Sequence, residues 1–253
     1  MKFIGVVHLL PLPGSPRGRP LSEVLHRACS DAEALQKGGA DAIIVENFGD
    51  APFARGAVSA ATVAMITCAA LRIREIAPEL ELGINVLRND AMAAVGVAHA
   101  VDASFIRVNV HTGTMVTDQG IIEGEARRTL LERMRIGSKV SIAADVLVKH
   151  AVPLGEPSIH DVARDTAYRG LADVLIVTGT GTGQPHSPQQ VATIREAVPD
   201  RPIWVGSGVN HTSARSLNTD GAIVGTCLHE EGDLNRPLCV ERIQQMASLL
   251  HSA

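Results

Sequence analysis

Short runs of β-branched and small apolar residues alternate with longer stretches of helical periodicity eight times along this chain, and no low-complexity linker divides them. Successive parallel strands need a crossover between each pair, so the order admits a closed barrel or a doubly wound open sheet. Strands are expected at 3–9, 40–46, 81–86, 104–110, 139–147 and 173–177. The apolar runs Ile203-Trp-Val-Gly-Ser-Gly-Val209 and Asp220-Gly-Ala-Ile-Val-Gly-Thr226 supply the last two. Helices are expected at 22–38, with Ser22 as N-cap and Gly38-Gly39 as the stop, at 59–77 before Pro78, and at 90–100. Others end near Ile136 and Tyr168, one opens at Ser187-Pro188, and the last covers 237–250. Residues 111–124 and 149–158 read as polar loops, and strand six runs into Thr178-Gly-Thr-Gly-Thr-Gly183.

Three strands are entered through the same acidic turn: Ala40-Asp-Ala-Ile-Ile-Val, Ala172-Asp-Val-Leu-Ile-Val and Thr219-Asp-Gly-Ala-Ile-Val. Such self-similarity suits a barrel. An open sheet would carry G-x-G-x-x-G after its first strand, where Pro11-Leu-Pro-Gly14 stands instead. The expectation is one α/β domain over residues 1–253, a (β/α)8 TIM barrel, whose usual length is about 250 residues.

A chain of this length buries about 75% of its unfolded surface, so its core needs neither disulfide nor metal. With one Trp and one Tyr, Ala, Val, Ile and Leu must fill that core. The net charge of −4 and the scarcity of aromatic stacking platforms argue against a nucleic-acid partner. Cys29, Cys68, Cys227 and Cys239 show no C-x-x-C spacing and read as reduced thiols of a cytoplasmic protein. The apolar opening is broken by His8 and Pro11 before a signal peptide could form, and no run of about 18 apolar residues would span a membrane.

Glycines at the carboxyl ends of the last two strands expose backbone N–H groups where barrels commonly hold phosphate, which makes Gly206, Ser207, Gly208, Gly225 and Thr226 the candidate phosphate cradle. Ser207 is not a nucleophile elbow, because Val205 replaces the first glycine of G-x-S-x-G. Glu230 and Glu231 follow closely and would repel a dianion unless they point to solvent. Strand alternation turns Arg107, Asn109 and His111 inward from strand four, and Asp145 and Lys149 to the mouth from strand five. Glu46, Asn47 and Asp50 end strand two at the same opening. A buried Arg beside a buried Asp is expensive unless paired, and function is one reason to keep it, a structural ion pair being the other. Glu46, Asp50 and Asp145 are the oxygen ligands for Mg2+, should the site take one. His8 and His150 are the candidate groups titrating near neutral pH, and no H-E-x-x-H metal spacing occurs.

Five separated motifs, Gly5-Val-Val-His-Leu-Leu-Pro-Leu-Pro-Gly-Ser-Pro16, Val45-Glu-Asn-Phe-Gly-Asp-Ala-Pro-Phe53, Arg107-Val-Asn-Val110, Ala144-Asp-Val-Leu-Val-Lys-His-Ala151 and Val205-Gly-Ser-Gly-Val209, resemble the BtpA/SgcQ family over nearly the whole chain. The resemblance implies a barrel of the ribulose-phosphate-binding kind. It also implies two roles, one in photosystem I biogenesis at a membrane surface and one in sugar metabolism.

Two readings follow. In the first, the chain is a lyase or isomerase of the aldol type acting on a small phosphorylated sugar or related metabolite. Lys149 then forms a Schiff base or stabilises an enolate, Asp145 or Glu46 moves the proton, and Arg107 with Asn109 holds the oxyanion. In the second, a non-catalytic, membrane-peripheral assembly factor presents residues 111–124 and 155–161 to a partner, although no basic amphipathic stretch stands out. Both are compatible with a homo-oligomer.

Overall fold

A computed structural model describes residues 1–179 and 187–252. The Thr-Gly run from residue 180 onward and His186 lie outside the described residues. In chain order the strands are β1 (Lys2–His8), β2 (Ala42–Glu46), β3 (Glu81–Asn85), β4 (Phe105–Val108), β5 (Thr114–Thr117), β6 (Gly120–Glu123), β7 (Ser141–Val146), β8 (Ala151–Pro153), β9 (Val174–Thr178), β10 (Ile203–Gly206) and β11 (Gly221–Val224). The helices are α1 (Leu21–Gly38), α2 (Ala60–Ile76), α3 (Ala91–Ala100), α4 (Ala126–Arg135), α5 (Ile159–Arg164), α6 (Pro188–Ala197) and α7 (Val240–His251).

β1, β2, β3, β4, β7, β9, β10 and β11 pair in parallel and close into the expected barrel. Their apolar character follows from burial on both faces. One side packs on the helices through a continuous aliphatic layer that includes Phe3, Val7, Ile43, Val45, Ile84, Ile106 and Ile142. The other side fills the barrel with Ile4, Val6, Ala42, Ile44, Phe105, Ala143, Val174, Ile176, Trp204 and Ile223. Phe105 and Trp204 meet edge to face with centroids 5.2 Å apart. They fit because their neighbours lack a side chain: a Cβ on Gly83 would lie 2.2 Å from the Phe105 ring, and one on Gly221 2.7 Å from Trp204. Two large rings thus sit inside a barrel otherwise filled by Ile, Val and Ala side chains.

Helix ends follow local chemistry. Ser59 caps α2 by accepting from the Thr62 N–H, Ser187 and Gln190 form a capping box around Pro188, and Gly39 takes the left-handed conformation that stops α1. At the start of α1 the structure differs from the expectation. The helix begins at Leu21 after Pro20, and no side chain caps it. The seventh crossover is also reduced, to a 3-10 turn over Ser213–Ser216.

The two segments read as polar loops are not irregular. β5 and β6 form a hairpin, Val116 facing Ile121, and β8 adds to its other edge, Val116 facing Val152. This antiparallel sheet stands over the mouth, because its strands leave the carboxyl ends of β4 and β7. Its inner face buries Met115 and Ile122 against Val110 and Val148. Among the described residues no helix is long and apolar enough to cross a membrane.

Candidate active site

Register sets the site. His8 pairs with Glu46, and Glu46 with Asn85, so three neighbouring strands end at one level with polar side chains. β4 and β7 add Arg107, Asn109 and Asp145. The Arg107 guanidinium lies between two carboxylates, with Nε 3.2 Å from Asp145 Oδ1, Nη2 3.1 Å from Asp145 Oδ2, and Nη1 3.2 Å from Glu46 Oε1. Asn85 Nδ2 donates to Glu46 Oε1 at 3.0 Å, and Asn109 Nδ2 to Asp145 Oδ2 at 2.8 Å. Arg107 is 5% exposed, Glu46 6% and Asp145 5%, so the pairing is what makes their burial tolerable.

Burial alone would push the Glu46 carboxyl up, but Arg107, His8 and Asn85 outweigh it and hold Glu46 below the usual carboxylate range. For Asp145 burial prevails over Arg107 and Asn109 and moves it up. Arg107 gains more from its two carboxylates than burial costs it, and stays protonated. Lys149 is shifted down from the ordinary lysine value, by burial first and by Arg107 second. With all four groups ionised, two cations balance two anions.

Lys149 reaches this cluster through a turn. β7 stops at Val146, and Leu147 takes a positive φ of 60°, which redirects the chain toward the mouth. Arg88 Nη2 fixes the turn by donating to the Lys149 carbonyl at 2.8 Å, and Lys149 Nζ lies 3.5 Å from Ser207 Oγ. His150 follows at φ 56° on the rim, its pKa moved down by burial, Lys149 and Arg88.

The cradle residues divide. Ser207, Gly208, Gly225 and Thr226 line a cavity of about 260 Å³ together with His8, Glu46, Arg107 and Lys149. Ser207 and Gly208 both have positive φ, 70° and 72°, which bends the chain after β10 around the cavity. Gly206 is not on this wall. Its missing side chain instead leaves room inside the barrel, where a Cβ would lie 3.6 Å from Arg107 Nη2. Arg242, unmarked in the sequence, lies on the cavity wall from α7 and donates through Nε to the Cys227 carbonyl at 2.6 Å. Glu230 and Glu231 are exposed, and Glu231 pairs with Arg236, so neither carboxylate faces the cavity as the sequence warned.

His8 is wedged between Phe48, 4.9 Å away between ring centroids, and His229 at 5.7 Å. Its Nδ1 is buried with no hydrogen-bond partner among the described residues. Burial lowers its pKa to about 4, opposed by Glu46 and reinforced by His229 and Lys149, so the ring is neutral at neutral pH. It does not titrate near neutrality as expected.

A second cavity, about 580 Å³, shares Glu46, Arg107 and Lys149 with the first and extends past Phe48, Phe53, Asn85, Leu87, Arg88, Asn109, Val148 and His150. Its Phe side chains sit on a loop clamped to the loop after β1. Leu12 N–H donates to Asp50 Oδ1 at 2.8 Å, Gly49 N–H to the Leu9 carbonyl at 3.0 Å, and Asn47 Nδ2 to Asp50 Oδ2 at 3.0 Å.

Two expectations are corrected by this geometry. His111 does not join the mouth; its Nε2 is 2.8 Å from the Gly170 carbonyl at the end of the turn that continues α5. Asp50 is engaged with backbone and Asn47, and Arg107 already grips Glu46 and Asp145. The three oxygen donors named for Mg2+ therefore do not form a metal set. Among the described residues no three His, Cys, Asp or Glu side chains are arranged to hold an ion.

A model of the BtpA family matches residues 1–252. The chain belongs to the BtpA family. It is 46% identical over 240 residues to the photosystem I biogenesis protein BtpA of Synechocystis sp., covering 93% of this chain and 83% of that one. An uncharacterized protein of Pyrococcus furiosus is also 46% identical, over 99% of this chain and 95% of its own. Among solved structures, the chain is similar to N-(5'-phosphoribosyl)anthranilate isomerase from Pyrococcus furiosus, with TM-score 0.58, 11% identity and all of both chains covered. Orotidine 5'-phosphate decarboxylase from Pyrococcus horikoshii gives TM-score 0.58 at 14% identity, covering 99% of this chain and 100% of that one. At such identities these two members of the barrel class testify to fold alone, whereas the BtpA family match spans residues 1–252 of the sequence itself.

Proposed function

We propose that this BtpA-family barrel is an enzyme acting on a small phosphorylated sugar or related metabolite. The observation that carries this reading is the sharing of one cavity by Ser207, Gly208, Gly225 and Thr226, two cations, Lys149 and Arg242, and the reactive pair Glu46 and Arg107. A phosphate seated on the glycine turns would face Arg242, which lies outside the balance of Arg107 and Lys149 against Glu46 and Asp145, and place the adjoining carbons under Lys149. That two barrels of the same fold are named for phosphorylated substrates agrees with it.

Within the cluster the groups divide by what they are free to do. Asp145 has both oxygens engaged by Arg107 and Asn109, so it positions those two side chains rather than moving a proton. Glu46 is ionised and lines both cavities, which suits a base beside a carbonyl. Lys149, with its depressed pKa, carries more neutral amine at neutral pH than a solvated lysine. The neutral amine adds to a substrate carbonyl carbon, and the carbinolamine takes up a proton from solvent and loses water, forming an iminium. Glu46 then takes either the proton on the α-carbon, whose C–H electrons move into the iminium, or the proton of a β-hydroxyl, whose oxygen becomes a carbonyl as the α–β C–C electrons move into the iminium. Aldol cleavage and isomerisation both begin this way.

Thermal-shift measurement against sugar phosphates and inorganic phosphate tests the binding reading; no stabilisation by any of them would remove it. Borohydride reduction in the presence of a stabilising sugar phosphate tests the covalent step. Turnover without a trapped adduct at Lys149 would leave the lysine as an enolate-stabilising cation.

A second reading rests on a different surface. Val116, Ile121 and Val152 lie side by side across the three-stranded sheet and are 43%, 49% and 67% exposed. Such a row is unusual on a free surface and fits a partner, as an assembly role like that in the Synechocystis relative's name would need. Association with membranes that withstands added salt and is abolished by Val152→Asp would favour it.

A further inference from the structure

The second cavity has no counterpart in the phosphate reading. In that reading a phosphate and its ester carbon fill the smaller cavity, whereas the 580 Å³ beyond Lys149 has a different wall that includes Phe48, Phe53, Leu87 and Val148. The chain contains four Phe, one Trp and one Tyr. Phe3, Phe105 and Trp204 are buried in the core, and Tyr168 lies on the outer surface, bonded to Asp200. The remaining two aromatic side chains, Phe48 and Phe53, both line this cavity, half-buried. In so aromatic-poor a chain, two Phe rings left unfilled by core packing and held by the clamped loop constitute a built apolar wall.

One polar atom of a residue lining that cavity lacks a partner among the described residues. Asn109 is 5% exposed, and its Nδ2 is committed to Asp145 Oδ2, which fixes the orientation of the amide. Its Oδ1 is then an acceptor, buried and without a hydrogen bond among the described residues. A buried acceptor left so is costly, and a ligand N–H or O–H would relieve it.

Resting on the phosphate reading, we infer that the substrate is a sugar phosphate carrying a flat, largely apolar ring. The phosphate sits on the Gly208 and Gly225 turns, the sugar carbons lie under Lys149, and the ring lies against Phe48 and Phe53 with a donor on its edge directed to Asn109 Oδ1. The two cavities meet at Lys149, so the bond under attack lies between the phosphate-bearing part and the ring-bearing part.

Calorimetric titration would compare inorganic phosphate, ribose 5-phosphate, the four common nucleoside 5'-monophosphates and 1-anilino-1-deoxyribulose 5-phosphate. A ring-bearing ligand is expected to bind at least about tenfold tighter than ribose 5-phosphate. Phe53→Ala, in an exposed loop outside the core, should bring that ratio to within about twofold, and Phe53→Leu should leave an intermediate ratio. Equal binding of ring-bearing and ring-free ligands would overturn the inference and leave the phosphate reading intact, as would a ratio insensitive to Phe53→Ala. Failure of every ligand, inorganic phosphate included, would overturn the phosphate reading and this one with it.

Discussion

Gly225 lies flat against His8: a Cβ at that position would sit 2.6 Å from Cε1 and 3.2 Å from Nε2 of the imidazole. The ring cannot retreat, because Phe48 and His229 pack beside it. Gly225→Ala is therefore expected to cost about 1–3 kcal/mol of stability through overpacking and to weaken phosphate binding by displacing the cavity wall. Urea denaturation and phosphate titration check this, and wild-type values in both would show that the contact is dispensable.

His8 also makes stability depend on pH. Its folded pKa, about 4, lies below the ordinary 6.5, so the unfolded chain takes up the proton first as the solution is acidified. The stability tied to its neutral form is complete above about pH 6.5 and is lost as pH falls toward 4. One edge of the ring faces the cavity, so the loss should be about 2–3 kcal/mol. Denaturation midpoints of wild type and His8→Asn from pH 4.5 to 7 should converge at the acid end. His111 and His229, also shifted down by burial, keep part of the slope in the variant.

Removing Arg107 would leave two carboxylates buried without their cation. Arg107→Met is expected to destabilise by about 3–5 kcal/mol, and adding Asp145→Asn to restore part of that. Additive losses in the double variant, read by chemical denaturation, would mean that the pair is not coupled. Activity tests of Arg107 therefore need Arg107→Lys, which keeps the charge, as a companion.

Lys149 should carry a neutral amine at lower pH than an ordinary solvated lysine. Reductive methylation followed by peptide mass analysis from pH 7 to 10 should give a lower midpoint for Lys149 than for a free lysine derivative added as an internal standard, and phosphate should slow its modification. A profile coincident with that of the standard would contradict the burial described above.

The barrel and much of its mouth were legible because the signals are local. Strand alternation identifies Arg107 and Asp145 as inward for as long as the backbone stays extended. β4 stops at Val108, and beyond it alternation no longer dictates direction, which is why Asn109 still meets Asp145 while His111 leaves for Gly170. Arg242 sits on the last helix and Arg88 after β3, and only the closed ring brings them to Lys149 and the wall of the smaller cavity. The hairpin could have been found: Thr114-Met-Val-Thr117 and Gly120-Ile-Ile-Glu123 are β-prone and separated by two residues. Its polar turn masked the pattern. Phe48 and Phe53 fall within the second motif of the resemblance, but a lone Phe in a loop has no periodicity to reveal what it faces.

The small sheet above the mouth draws its strands from two crossovers, β5 and β6 from one and β8 from the other. Barrel loops are usually interchangeable parts, grafted one at a time onto a common frame. Here, trimming either crossover strips the other of its backbone partners, and β8 begins two residues after Lys149. Any redesign of this opening has to transplant the two crossovers together, and a lengthened hairpin would be felt first at the lysine.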